Sequence, residues 1–346
     1  MSTLIIRFSP ISNVAMLVPL LESMTRLQPN EKFVVASRTF LQPLFADLPN
    51  TTFIGVDLRN QHKGAIGTLK LLKEIKKQKI DKVIDLQNNT KSIFLKTLLK
   101  IQSPCTKLYT IKHQWINELL LLKNGYEHSK PLKSIFELYN ECFSKANLKT
   151  DKNFEKLPNL SDSIPQKITN LYGDKKGTWI GIAPFAQHQG KILPSKKIKE
   201  VISHFDKKAN TKIFLFGAGE VEYEMLSDWE TLFNNTFAVY TSLNLKEEIE
   251  LMHHLDVMIS MDSANMHLAS LVNLPVISIW GASHHCAGSL GWKQSKSNIV
   301  ENSLSCRPCS ILGRKRNKRC PIKYKCLDIN PKTIIEKIEK NLQPFH

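Results

Sequence analysis

Residues 256–281 constrain the fold more than any other stretch of this sequence. An apolar run at 257–261 is too short for a globular helix and is bounded by turn-forming residues, so it predicts a buried strand. Residues 262–265 then turn the chain into a short helix, which ends at Pro275 before a second buried strand at 276–279. A strand, a turn, a helix and a strand in this order are typical of a parallel sheet in an α/β fold.

The turn in this stretch carries three side chains that suit an anion-binding site. In open α/β folds, ligands bind at the carboxyl ends of the strands, and a helix N-terminus offers free N–H groups to a phosphate. Asp262 or Ser263 alone would be interpreted as an ordinary helix N-cap, and His267 alone as a packed core histidine. Their grouping within about one helical turn favours a site for a phosphate ligand.

The rest of the chain repeats the alternation of strands and helices, which predicts a parallel α/β architecture in both halves. The predicted strands are 3–8, 32–36, 52–56, 82–86 and 107–111, then 179–183, 212–216, 236–240, 257–261 and 276–279. A chain of 346 residues exceeds one typical core and therefore predicts two domains. We place them at 1–165 and 175–330, with a polar linker near 151–176 and a closing helix at 331–346.

The formal net charge of +17 indicates partners that are anionic. A nucleic acid, an acidic lipid surface and a phosphorylated substrate all fit this charge, and so does a lysine-rich surface that reflects only a biased source proteome. The N-terminus lacks the basic start of a signal peptide, and no apolar stretch has the length to cross a membrane. We therefore expect a cytoplasmic protein with reduced thiols.

Four of the seven cysteines lie close together in a basic segment. They are Cys306, Cys309, Cys320 and Cys326. Four thiolates can hold a zinc ion in tetrahedral geometry, and the first pair has the spacing of a zinc site whereas the second pair does not. A structural zinc ion, free thiols and a stabilising disulfide are the readings that remain open.

Four stretches together resemble glycosyltransferase family 9, the lipopolysaccharide heptosyltransferase family. They read IIRFSPISNVAMLVPLL, GIAPFAQHQGKILP, LFGAGEVE and MDSANMHLASLVNLPVISIWG, and the similarity extends over nearly the whole chain. The resemblance implies a GT-B fold, in which two Rossmann-like domains face each other across a cleft. It also implies an inverting, metal-independent transfer of a sugar, with ADP-heptose as the donor in characterised members.

The resemblance assigns the donor to the C-terminal half of the chain. The implied donor-binding residues are Gln187, Lys191, Glu220, Leu243, Asp262, Ser263, Ala264 and His267. Lys191 matches a lysine that contacts the diphosphate, Glu220 a glutamate at the ribose, and Leu243 a backbone carbonyl at the adenine. Asp262 and His267 are also expected to contribute to catalysis. Neutralising a leaving diphosphate without a metal requires such a lysine.

One position departs from the family pattern. The family has Gly-Asp where this chain has Ser12-Asn13, and that aspartate is the general base that deprotonates the acceptor. Asn13 occupies this catalytic position, but an amide cannot accept the proton. Three readings are open: another base such as Asp57, Asp85 or His267, a dissociative transition state that needs little deprotonation, or a chain that binds a donor without turning it over.

The sequence as a whole predicts a glycosyltransferase that is peripheral on the inner membrane. Its expected partners are a nucleotide-sugar donor, a lipopolysaccharide core acceptor and the membrane surface, and no catalytic cofactor is expected. A nucleotide-sugar epimerase with the same fold is the alternative enzyme. A basic zinc-containing nucleic-acid binder is disfavoured, because the aromatic residues fall mostly inside predicted strands and helices.

Overall fold

The computed structural model describes residues 1–313, 320 and 323–343. The described chain forms two compact units. The first unit contains residues 1–113 and 133–159, and the second contains residues 114–132 together with the chain from Leu160 onward. Each unit is built on its own parallel sheet, so the predicted α/β fold class is confirmed.

The first unit has the sheet order β3-β2-β1-β4-β5, with every neighbouring pair parallel. Its elements are β1 (Ser2–Ile6), α1 (Ile11–Ala15), α2 (Val18–Leu27), β2 (Lys32–Ser37), β3 (Thr51–Gly55), α3 (Gly64–Lys76), β4 (Lys82–Asp85), α4 (Thr90–Gln102), β5 (Lys107–Thr110) and α6 (Ile135–Lys145). This is the order of a Rossmann-type sheet, whose strand order reverses beside the first strand. In this unit the reversal lies between β1 and β4.

The strands of the first unit form because their apolar runs are covered on both faces. Every residue of β1 is buried, as expected for a parallel strand between two helical layers. Helix α4 starts where the Asn89 side chain accepts the Ser92 N–H at 3.0 Å, while the Ser92 hydroxyl accepts the Asn89 N–H. These two reciprocal hydrogen bonds form a capping box, which fixes the first residue of α4.

The second unit has the sheet order β11-β10-β9-β6-β7-β8, again with parallel neighbours. Its elements are α5 (Trp115–Asn124), α7 (Gln166–Tyr172), β6 (Thr178–Ala183), α8 (Ser195–Asp206), β7 (Thr211–Leu215), α9 (Glu220–Leu232), β8 (Thr236–Ala238), α10 (Leu245–His253), β9 (Val257–Met261), α11 (Ala264–Ser270), β10 (Val276–Trp280), β11 (Ile299–Glu301) and α12 (Pro331–Leu342). The strand order reverses between β6 and β9.

Residues 114–132 belong to the second unit, whereas the division made from the sequence assigned them to the first domain. Leu121 and Leu132 form a small cluster with Ala287 of the second unit. The Tyr126 N–H donates to the Arg307 carbonyl at 3.1 Å, and the Leu132 N–H donates to the Cys286 carbonyl at 2.8 Å. The alternation of strands and helices in the sequence predicts the order of the elements. It does not predict which of the two cores a single helix such as the one in this segment packs against.

The closing helix predicted at 331–346 corresponds to α12, and residues 344–346 lie outside the described part of the chain. Ile334 and Ile338 are fully buried and pack α12 into the core of the second unit beside α8. The helix begins at Asn330, whose side chain accepts the Lys332 N–H at 3.0 Å. Among the described helices, none combines the length and apolar composition needed to cross a bilayer.

Candidate functional site at the strand ends of the second unit

The predicted turn at 262–265 lies at the point where the strand order of the second sheet reverses. Asp262 follows β9, and Lys191 follows β6 in a short helical turn, Gln189–Lys191. Because β6 and β9 are neighbours with connections that run in opposite directions, their carboxyl ends border the crevice where doubly wound sheets bind ligands. Both residues thus follow the carboxyl ends of adjacent strands.

Lys191 and Asp262 form an ion pair, with 2.6 Å between Nζ and Oδ2. Both side chains are largely buried, at 13% and 6% exposure. The hydroxyl of Ser283 donates to the same Asp262 oxygen at 2.6 Å. The carboxylate thus fixes the position of the lysine ammonium group at the strand ends.

The loop that carries Lys191 is held against β10 through residues without side chains. The Ala282 N–H donates to the Gly190 carbonyl at 2.7 Å, and a Cβ added to Gly281 would overlap that carbonyl oxygen. Gly313 has a φ of +73°, and an added Cβ would lie 2.6 Å from Cγ of Lys191. Glycine is thus required where three segments meet around the lysine stem.

His267 is buried beside this ion pair. Its pKa is lowered to about 4, mainly by burial; Asp262 opposes this shift and Lys191 adds to it. The imidazole is therefore neutral at physiological pH, and its Nδ1 is buried without a hydrogen bond among the described residues.

Ser263 is the N-cap residue of α11, but its side chain makes no capping bond. Its hydroxyl instead lies 3.2 Å from that of Ser260. The first N–H groups of a helix have no partner within it, so the amides that begin at Ala264 are left to external acceptors. Together with Lys191, this end of α11 suits a phosphate group.

The other predicted donor residues lie on separate loops of the same unit. Glu220 is exposed at the first position of α9, Gln187 is exposed before the Lys191 turn, and Leu243 is buried just before α10. None has a contact with the Lys191–Asp262 pair among the described hydrogen bonds and ion pairs.

The turn before α9 also holds a carboxylate that was not predicted. Glu222 is half-buried and accepts the Ala218 N–H at 2.8 Å, and burial raises its pKa.

Asn13 lies in α1, after the first strand of the first unit. Its backbone carbonyl accepts a hydrogen bond from the Tyr139 hydroxyl at 3.0 Å, and its side-chain oxygen lies 3.5 Å from the Ser12 hydroxyl. Tyr139 is fully buried, and burial raises its pKa, so it remains a hydrogen-bond donor. The residue predicted at the family's base position is thus an amide in α1.

Asp85 and Asp57, the two carboxylates considered as replacement bases, are engaged in local structure. Asp85 is fully buried and accepts four groups: the backbone N–H groups of Gln87 and Asn88, the Ser92 hydroxyl and the Lys96 ammonium. Asp57 closes a turn, in which hydrogen bonds from the side chain and backbone of Asn60, and from the Arg59 N–H, lower its pKa. Both carboxylates are therefore occupied by structural hydrogen bonds.

A second polar cluster, which the sequence did not predict, lies after β10 and β11. Nε2 of His284 and Nδ1 of His285 approach Glu301 at 3.4 Å and 3.6 Å, and these ligand atoms all lie within 4.8 Å of one another. Nδ1 of His284 accepts the Cys286 N–H at 3.1 Å, which places its proton on Nε2. Histidine ligands normally donate from the nitrogen that does not bind the metal, so this pattern does not suit a cation.

Arg307 holds this cluster together. Its buried guanidinium donates to the backbone carbonyls of Trp280, Gly281, Ser283 and Asn302, and to Glu301 at 2.9 Å. The arginine thereby ties the cysteine-rich segment to Ser283, which contacts Asp262. The local pattern around Arg307 does not indicate its contacts with Trp280, Gly281 and Ser283, because these partners lie more than 20 residues away in the sequence.

The four clustered cysteines are thiols without a disulfide among the described residues. Burial raises the pKa of Cys326 to about 11 and also raises the pKa of Cys309. Neighbouring thiols of the cluster, Cys306 and Cys320 included, add to both shifts. Among the described residues, however, the ligand atoms that lie within 4.8 Å of one another are those of His284, His285 and Glu301 and not these four thiols. A zinc ion at these thiols stays a prediction.

Comparison with known proteins places the chain in a known structural group. The model of glycosyltransferase family 9 (heptosyltransferase) matches residues 68–318. Lipooligosaccharide heptosyltransferase 2 of Campylobacter jejuni is 26% identical over 322 residues, which is 91% of each chain. Solved structures that are similar to this chain in fold include heptosyltransferases with a GT-B fold. The GT-B fold predicted from the sequence is therefore confirmed.

Two solved structures illustrate that likeness of fold. The ADP-heptose lipopolysaccharide heptosyltransferase II of E. coli superimposes with a TM-score of 0.72 at 16% identity, covering 99% of this chain and 98% of that one. The E. coli heptosyltransferase WaaC, solved with ADP, has a TM-score of 0.69 at 17% identity and covers 99% and 100% of the two chains.

Proposed function

Since this chain belongs to glycosyltransferase family 9, the heptosyltransferase family, we propose that it transfers a heptose from an ADP-activated donor to a lipopolysaccharide core acceptor. The Lys191–Asp262 ion pair at the strand reversal is the observation that carries the proposal. The transfer inverts the anomeric carbon and uses no catalytic metal. The reaction takes place at the cytoplasmic face of the inner membrane.

The second unit binds the donor. The diphosphate lies at the start of α11, where the free amides from Ala264 onward and the Lys191 ammonium offset its charge. As the glycosidic bond breaks, negative charge grows on the departing diphosphate, and Lys191 exchanges part of its bond to Asp262 for this charge. This electrostatic stabilisation takes the place of the metal ion that other nucleotide-sugar sites use.

The remaining donor contacts follow from the family resemblance. Glu220 contacts the ribose hydroxyls, the backbone carbonyl of Leu243 contacts the adenine, and Gln187 borders the diphosphate. The neutral His267 donates or accepts one hydrogen bond at the sugar, because its pKa near 4 keeps it uncharged. A structural zinc ion at Cys306, Cys309, Cys320 and Cys326 is part of the proposal and has no role in the chemistry.

The first unit binds the acceptor, and Asn13 positions its hydroxyl group without deprotonating it. Asp85 and Asp57 are committed to structural bonds, and neutral His267 is a weak base, so no strong base replaces the family's aspartate. The bond from the anomeric carbon to the diphosphate therefore breaks early, the acceptor oxygen then bonds to that carbon, and its proton passes late to the released diphosphate. Asn13 donates or accepts a hydrogen bond that orients the acceptor.

The first test is transfer by the purified protein from ADP-heptose to a heptose-deficient lipopolysaccharide. We expect transfer by the natural sequence, a loss of at least 100-fold in Lys191→Ala, and a gain in Asn13→Asp. EDTA should leave the rate unchanged, and NMR of the product should show an inverted anomeric centre.

Other outcomes would identify the alternatives. Transfer by Asn13→Asp alone would mean that the natural chain binds a donor and does not turn it over. Epimerisation of the free donor would indicate a nucleotide-sugar epimerase. Transfer that survives Lys191→Ala unchanged would contradict the proposed role of the ion pair.

A further inference from the structure

Helix α5 presents most of its apolar side chains to the outside. Trp115, Ile116, Leu119 and Leu120 are between 44% and 60% exposed, while Leu121 is the buried residue of the helix. At about 100° per residue the four exposed side chains lie on one side, and Leu121 points the opposite way. We call these four residues the α5 face.

The α5 face is the reverse of an ordinary surface helix, which turns its apolar stripe towards the core and its polar residues outward. Only Leu121 joins a core cluster, with Leu132 and Ala287. Ile311 packs against the same cluster, and the next residue, Leu312, is also exposed. A group of large apolar side chains on the outside of a protein marks an interaction surface.

The charges near the α5 face are a lysine within it and charges of both signs beyond it, since Glu127, like Lys130, is an exposed residue that follows the helix. By helical position Lys123 lies within the face, and Lys130 follows in the same unit, whereas Glu118 lies on the flank. The whole chain carries a net charge of +17. An apolar helical face with lysine at its border and tryptophan at its start is the composition that binds at the headgroup level of anionic lipid.

Other helices also expose apolar residues. Helix α4 exposes Ile93, Phe94 and Ile101 beside lysines, but the polar Thr97 lies between them and the helix has no tryptophan. Helix α9 exposes Val221, Met225 and Leu232 but carries five acidic residues, which an anionic surface would repel. Helix α3 exposes Ile66 and Leu69 on a side that is otherwise mostly lysine. The α5 face combines a continuous apolar surface with positive charge.

We propose that the α5 face docks the protein on an anionic lipid bilayer, with its four apolar side chains at the boundary of headgroups and acyl chains. The inference deepens the proposed function and rests on it in one respect, since the proposed acceptor is itself anchored in a membrane. Docking places the enzyme at the surface that carries this acceptor. Lys123 then lies at the level of the lipid phosphates.

The chain contains a built-in probe of this docking. Trp115 is 60% exposed, whereas Trp179, Trp229, Trp280 and Trp292 are all buried. Vesicles of phosphatidylethanolamine with phosphatidylglycerol should shift the tryptophan emission of the natural chain to shorter wavelength, because Trp115 enters a less polar environment. Trp115→Phe should abolish the shift and bind the same vesicles within about twofold of the natural chain.

The α5 face itself is tested by co-sedimentation with the same vesicles. Leu119→Glu/Leu120→Glu should bind at least tenfold more weakly, because two apolar contacts become charges that the lipid repels. Met225→Glu/Leu232→Glu adds the same two charges to exposed positions of α9 and should bind like the natural chain. Circular dichroism and Tm check that both variants fold.

A second variant tests the charge and keeps the apolar residues. Lys123→Glu should bind several-fold more weakly to anionic vesicles and unchanged to vesicles of phosphatidylcholine alone. Lys123→Glu also tests the docking of the α5 face if Leu119→Glu/Leu120→Glu does not fold. Equal binding of Lys123→Glu and the natural chain to anionic vesicles would count against the proposal.

Three results would overturn the inference. The Leu119→Glu/Leu120→Glu variant could bind like the natural chain, or Ile66→Glu alone could remove binding. In sedimentation, the natural chain could be a dimer that this variant separates while vesicle binding is unchanged, which would assign the face to a second copy. Because vesicle binding needs neither donor nor acceptor, a chain that docks but transfers no sugar would refute the proposed function and leave the docking intact.

Discussion

His267 shows how one buried side chain links the stability of the protein to its site. Burial lowers its pKa to about 4, against an ordinary value near 6.5 in an unfolded chain. The unfolded state therefore binds more protons than the folded state between these two values. The stabilising contribution is complete above about pH 6.5 and decreases as the pH falls towards 4.

This difference predicts a pH dependence that is specific to His267. Between pH 7 and pH 5, the natural chain should lose about 2 kcal/mol more free energy of unfolding than His267→Gln, whose side chain does not titrate. Urea unfolding of both proteins at the two pH values measures this. Parallel losses in the two proteins would mean that the folded imidazole accepts a proton as readily as the unfolded one.

At the scale of the elements, three segments meet around Lys191: its own turn, the end of β10 and the chain near Gly313. Their approach depends on glycine, because Gly190, Gly281 and Gly313 lie where a Cβ would meet backbone or the lysine stem. The position of the ammonium group therefore depends on how the elements pack as well as on the loop that carries it.

Gly281→Ala tests this dependence. The added Cβ would overlap the Gly190 carbonyl and lie 2.6 Å from Leu327, so the Lys191 turn must move. We expect about 1–3 kcal/mol of lost stability and a fall in transfer of at least tenfold, measured by Tm and by the transfer assay. In the control Gly55→Ala, the Cβ meets the Thr39 hydroxyl first, at 3.0 Å, and transfer should change little. An active Gly281→Ala would contradict the argument.

The sequence predicted those elements whose signal is local. The apolar runs of β6, β7, β9 and β10 mark buried strands, and the polar turn after β9 marks the strand end that bears Asp262. It did not predict β11, which has only three residues, or the contacts of Ser283 and Arg307 with distant segments. Such contacts depend on the folded arrangement, and a single sequence carries no pattern for them.

At the scale of the whole molecule, the net charge of +17 has to be reconciled with the predicted absence of a nucleic-acid partner. Strong binding of single strands needs aromatic side chains on which bases stack, beside positive charge. In the described part of the chain, most aromatic residues are buried, and Phe40, Phe94 and Trp115 are the large exposed ones.

We therefore expect weak, charge-driven binding to nucleic acid. A fluorescent single-stranded oligonucleotide should bind with a Kd no tighter than about 1–100 µM at physiological salt, and its affinity should decrease steeply as salt is raised from 50 to 200 mM. Fluorescence anisotropy measures both quantities. Nanomolar affinity that persists at high salt would revive a nucleic-acid-binding function.

The placement of residues 114–132 in the second unit has a consequence for synthesis on the ribosome. This segment is made after residues 1–113 and before residues 133–159 of the first unit, yet its partners Ala287 and Arg307 are made more than 150 residues later. At roughly 5–20 residues per second, α5 waits on the order of 10 s for them. During that time Leu121 is uncovered as well as the outward-facing apolar residues of α5, so the nascent chain carries a target for chaperones until the second unit closes over it.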